Sequence, residues 1–157
     1  AAEAEWAEFD LDAALWTIPA RRMKARREHV VPLPTQAVDM LRRLHAISGD
    51  RVHLFPGRDD RSRPMSAHSI RQALKVLGWS GTYSPHGTRT TGSTRLNEMG
   101  YRADAIEAQL AHAEPNSVRR TYNHATYLEE RRGMMQAWAD KLELWKREST
   151  GEVSRTQ

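Results

Sequence analysis

Pro32 and Pro34 stand on either side of Leu33 and divide the chain into two kinds of sequence. Neither imide nitrogen can donate to a β-ladder, so the Val-rich segment His29–Leu33 has to stop there. Upstream lie two more short extended segments, Phe9–Leu11 and Leu15–Ile18, joined by Asp12-Ala13-Ala14. The basic stretch Arg21–Arg27 falls between the second and the third. A small antiparallel sheet with an Arg/Lys-rich hairpin tip is the simplest reading. Residues 1–7 have helix-forming composition and read as the end of a helix begun upstream.

Downstream of Pro34 the periodicity is helical. Thr35 is a good N-cap for a helix carrying Val38, Leu41, Leu44 and Ile47, closed by Gly49. After a loop rich in Gly, Asp, Arg and Pro over 56–64, Ser66 caps a helix with Ile70, Leu74 and Leu77 on one face, stopped by Gly78. Residues 80–84 read as loop. Further helices are expected at 86–98, 102–111 and, shorter, from Pro115, which suits a first helical turn. Thr126-Tyr-Leu-Glu129 is a capping box opening a long helix through Trp145, followed by a polar tail over 149–157. The class is mainly α with a small antiparallel β-sheet (α+β), in one domain over 1–148.

A length of 157 residues, 28% charged and 39% hydrophobic, is that of one domain with a core and not of a disordered chain. Lys and Arg outnumber Asp and Glu by 24 to 20, which permits a polyanionic partner without requiring one. The acids gather at the start (Glu3, Glu5, Glu8, Asp10, Asp12), so a basic face opposite an acidic one is expected. The absence of Cys excludes disulfides and thiolate metal sites. No apolar run is long enough for a membrane span, and no Asp/Glu/His set has metal-ligand spacing, so neither a metal nor another cofactor is expected.

The chemically informative residues are His86-Gly-Thr-Arg89, Leu110-Ala-His112 and Tyr122, with Lys24 far upstream. Taken singly, each has an ordinary structural explanation. In this order they resemble the tyrosine recombinases of the phage-integrase family, which carry a Lys on a β-hairpin, a His-x-x-Arg box, a Leu-(Gly/Ala)-His box and a Tyr about ten residues further on. The flanking text is similar as well: Trp16-Thr-Ile-Pro-Ala-Arg-Arg-Met-Lys24, His29-Val-Val-Pro-Leu33, Ser84-Pro-His-Gly-Thr-Arg89, Leu96-Asn-Glu-Met-Gly100 and Glu130-Arg-Arg-Gly-Met-Met-Gln-Ala-Trp138. Thr88 departs from the apolar residue usual there, which bears on packing more than on chemistry.

The resemblance implies a tyrosine recombinase catalytic-domain fold and DNA strand transfer through a 3′-phosphotyrosyl intermediate. Tyr122 would be the nucleophile, Arg89 a planar fork for two phosphoryl oxygens, His86 and His112 donors or proton movers, and Lys24 the general acid. Arg21, Arg22, Arg26 and Arg27 would face DNA. Partners would be double-stranded attachment sites, sister copies in a homo-tetramer and accessory DNA-bending proteins, in a bacterial cytoplasm close to the nucleoid. The family's first catalytic Arg is expected a few residues before Ala1. A chain without it would lose roughly 2.7–4 kcal/mol of transition-state stabilisation, leaving it weak or inactive alone.

Three other readings stay open on sequence: type IB topoisomerase-like relaxation, a non-catalytic DNA-binding module of the same fold, and a purely structural helical domain. Tyr127 is the rival nucleophile, with packing its expected role. Trp138 and Trp145, seven apart, are expected in the core or at an interface, and His29, His45, His53, His68 and His124 on surfaces or in local hydrogen bonds.

Overall fold

The structure, a computed structural model, describes residues 2–79, 81–82, 84–111 and 127–150. Three short strands, β1 (Phe9–Asp10), β2 (Leu15–Ile18) and β3 (His29–Pro32), form an antiparallel sheet in the order β1-β2-β3. Trp16 pairs with both Phe9 and Val31, and Ile18 with His29. β3 lies at the sheet edge, which is where a ladder tolerates Pro32. Among the described residues five α-helices follow: α1 (Thr35–Ser48), α2 (Ala67–Val76), α3 (Pro85–Glu98), α4 (Ala103–Gln109) and α5 (Leu128–Ser149). The mainly α architecture with a small antiparallel sheet agrees with the sequence reading.

The main core lies between α3, α4 and α5. Leu96 of α3, Ala105 and Ile106 of α4 and Met134 of α5 are buried together, with Tyr101, Leu110, Met135 and Trp138 packed around them. Trp145 meets Trp138 edge-on at 5.8 Å. Ala4, Val38 and Leu54 are buried as well.

Several local expectations need correction. Residues 2–8 are not the end of an α-helix. Ala4 accepts a backbone bond from Leu54 at 3.0 Å and Trp6 donates one to Val52 at 2.9 Å, so the segment runs extended beside residues 52–54 before a short 3-10 turn at Trp6–Glu8. Thr35 is the first helical residue and not the cap, a place taken by Pro34. Its free N–H is satisfied from another helix, by Gln136 Oε1 at 2.9 Å. Ile47 is 80% exposed. Ser48 occupies the buried position instead, donating to the Leu54 carbonyl and accepting at its own carbonyl from Trp6 Nε1. On α2, Leu77 is exposed although it shares the apolar stripe of Ile70 and Leu74. The cap at Ser66 is formed as read, and Ser84, read as the end of a loop, caps the next helix, which begins at Pro85. The helix expected from Pro115 and the capping residue Thr126 lie outside the described residues.

Tyr127 is 8% exposed, takes a hydrogen bond from Arg102 and donates one to Asp104. A phenol committed in this way closes the core at the start of α5, in line with a packing role.

Candidate active site

The first wall of the site is the N-terminal turn of α3. Ser84 accepts the Gly87 N–H at 2.9 Å, Pro85 supplies a first-turn residue with no N–H to satisfy, and a Cβ on Gly87 would sit 3.2 Å from the Ser84 hydroxyl. The segment Ser-Pro-His-Gly-Thr-Arg is therefore a helix start with the local chemistry it needs. It puts His86 and Arg89, three residues apart, on one exposed face.

The second wall is the C-terminal end of α4, where the last carbonyls lack helical partners. Side chains from elsewhere fill that need. Arg89 donates to the Leu110 carbonyl, and His29 Nε2 donates to the Gln109 carbonyl at 3.2 Å. A carbonyl can only accept, so His29 carries its proton on Nε2. Both contacts place a donor at the negative end of a helix. Arg89 thereby ties the His-x-x-Arg turn to the Leu-Ala-His segment.

Ala111 turns the chain away with φ of 53°, a left-handed conformation that glycine adopts without strain. Ala111→Gly is expected to raise stability by about 1 kcal/mol, and a β-branched residue there to lower it. Urea unfolding midpoints would show both.

The third wall is the sheet edge. Arg131 of α5, 2% exposed, donates from Nε to Gln109 Oε1 at 2.9 Å and from a terminal nitrogen to the Val30 carbonyl at 2.6 Å. Burial lowers its guanidinium to about 10, so it stays charged at neutral pH. β3, α4 and α5 thus meet at one joint beside Leu110.

The sequence profile of the phage integrase family matches residues 1–129 of the chain. The chain belongs to the phage integrase family. It is 49% identical over 140 residues to the prophage integrase IntA of Escherichia coli K12, covering 89% of this chain and 34% of that protein. The integrase of Shigella phage Sf6 is 43% identical over 140 residues, 88% of this chain and 36% of the relative. A tyrosine recombinase XerC of Xylella fastidiosa is 29% identical over 128 residues, 78% of this chain and 42% of the relative. The chain spans about a third of the length of the integrases it matches most strongly. No solved structure matches it significantly.

Within this integrase-family chain, the structure brings Arg89 and Leu110 together, with His86 three residues before Arg89 on the same helix. Lys24 is exposed in the connection between β2 and β3, just after a 3-10 turn at Ala20–Arg22. His112 and Tyr122 lie outside the described residues. The four arginines expected to face DNA divide. Arg26, with φ of 53°, and Arg27 are exposed. Arg21 pairs with Glu5 at 3.1 Å, and Arg22 is held by Glu8, which also accepts from Trp16 Nε1 at 3.0 Å.

The expected separation into a basic and an acidic face is therefore corrected. The acidic N-terminal segment lies against the basic hairpin, and Asp12 pairs with Arg42. His29 is corrected too, from a surface group to a buried one reaching α4. Arg131 was missed, its only local signal being its place in Glu130-Arg-Arg-Gly. Among the described residues there is no group of three or more metal-ligating side chains, and no helix long and apolar enough to cross a membrane.

Proposed function

We propose that this chain supplies the catalytic centre of a site-specific DNA recombinase, with the tyrosine recombinase catalytic-domain fold. The observation that supports this best is the Arg89 contact with the Leu110 carbonyl, which joins two sequence boxes 21 residues apart at one exposed edge. Double-stranded DNA attachment sites are the substrate, acted on by a homo-tetramer with accessory DNA-bending proteins, and the outcome is integration or excision of a mobile element.

In the first step the Tyr122 oxygen attacks phosphorus as its proton passes to solvent water. The bond to the 5′-oxygen breaks, and Lys24 gives that oxygen a proton. A 3′-phosphotyrosyl link and a free 5′-hydroxyl result. In the second step the 5′-hydroxyl of the partner strand attacks the link and returns a proton to Lys24, while Tyr122 leaves and takes up a proton from water. Arg89 binds two non-bridging oxygens in its fork, and His86 and His112 donate to the same phosphoryl group. These fixed donors stabilise the charge that builds on the phosphorane.

The test is a strand-transfer assay with the complete polypeptide of its gene and duplexes copied from the sequences that flank that gene. Joined strands in the parent and none with Tyr122→Phe are expected. Salt-sensitive DNA binding without joining would leave only a binding module.

Lys24 has a separate expected signature. Lys24→Ala should slow cleavage of ordinary DNA by roughly a hundredfold or more, as loss of a general acid does. A substrate with sulfur in place of the scissile 5′-oxygen should restore the rate, because a thiolate leaves without being protonated. Cleavage of both substrates slowed equally by Lys24→Ala would remove Lys24 from that role.

A further inference from the structure

Arg131 is the largest fully buried side chain in the described part of the molecule. Its two partners are a side-chain amide and a backbone carbonyl. Burying a guanidinium against neutral acceptors costs free energy that a Met or Leu of similar volume would avoid. The geometry explains what the charge achieves. One end of the fork holds Val30, on the strand that leaves the Lys24 hairpin. The other holds the side chain of Gln109, the last residue of α4.

Gln109 also receives His29 of β3 on its carbonyl, and the next carbonyl, that of Leu110, receives Arg89. Ala111 then makes the left-handed turn that leads into His112. Three elements distant in sequence are thus bolted to the two residues preceding that turn.

We infer that Arg131 and Gln109 are positioning residues for strand cleavage, acting through Arg89 and the Leu-Ala-His box without touching the DNA. This rests on the functional reading above. If Gln109 shifts, the Leu110 carbonyl shifts with it and Arg89 loses its anchor. A reacting group displaced by about 1 Å can cost about a hundredfold in rate.

Two variants test it in the complete polypeptide: Arg131→Lys, which keeps the charge but loses the two-pronged reach, and Gln109→Met, which removes one acceptor from a half-buried position. The second keeps the test decisive should the first fold poorly. Single-turnover formation of the covalent DNA adduct is measured at saturating nicked duplex, alongside DNA affinity and thermal melting. Each variant is expected to cleave about ten- to a hundredfold more slowly with DNA affinity unchanged. In an Arg89→Lys background the same changes should cost less than about threefold more, because the pathway they act through is already impaired.

Three outcomes overturn the inference. The variants cleave at the parent rate, their effects multiply fully with that of Arg89→Lys, or their loss follows melting temperature alone. A parent protein that forms no Tyr122-dependent adduct strikes instead at the functional reading beneath it.

Discussion

Arg89→Ala is expected to lower the rate of strand cleavage by about a hundred- to a thousandfold, with DNA affinity falling far less. The guanidinium is exposed, so its removal leaves no cavity, and its contact within the protein is with the Leu110 carbonyl. That carbonyl lies at a helix end where water can replace the lost donor, so the stability cost should be no more than about 1 kcal/mol. The large effect falls on the reaction. A planar fork can hold two phosphoryl oxygens at once and strengthens its hold as charge grows in the transition state. Arg89→Lys keeps the charge without the fork and should recover only part of the rate. Single-turnover cleavage beside a binding isotherm separates these effects.

Arg131→Met is expected to destabilise the fold by about 2–4 kcal/mol, a fall in melting temperature of about 5–15 °C. The methionine fills much of the volume, so the loss is not mainly a cavity. It comes from the acceptors left behind, the Val30 carbonyl and Gln109 Oε1, which the buried guanidinium had satisfied at 2.6 and 2.9 Å. Part of the cost is offset because the protein no longer buries a charge. The half-buried Arg132, whose side chain reaches the Ala13 carbonyl and Glu129, is the control. Arg132→Met should change stability by less than about 1 kcal/mol. Thermal melts of both variants beside the parent make the comparison. Equal, small shifts would mean that the joint contributes little.

What the sequence made legible is mostly local. Ser66 announces its helix because a cap needs only a hydroxyl three residues before the N–H it accepts. Pro32 and Pro34 mark the end of the strands because an imide cannot donate. The boxes that resemble the family's reactive set could be read in order because each is contiguous text. What stayed hidden depends on partners far along the chain. Thr35 looked like a cap, but its N–H is met by Gln136, a hundred residues away. Ile47 fits the apolar stripe of α1, yet Ser48 is buried because Trp6 and Leu54 bond to it. The charge runs suggested two faces, while Glu5 and Glu8 fold back onto Arg21 and Arg22. His29 and Arg131 have no periodicity or spacing that reveals a joint between β3, α4 and α5.

The most direct measurement is to map the covalent adduct. The complete polypeptide is incubated with nicked duplex carrying its attachment-site sequence, the adduct is digested with protease and nuclease, and the modified peptide is sequenced by mass spectrometry. The predicted result is a single phosphotyrosyl peptide bearing the modification on Tyr122, with no adduct in Tyr122→Phe. Modification of Tyr127 or any other residue, or no adduct while salt-sensitive DNA binding persists, would contradict the assignment.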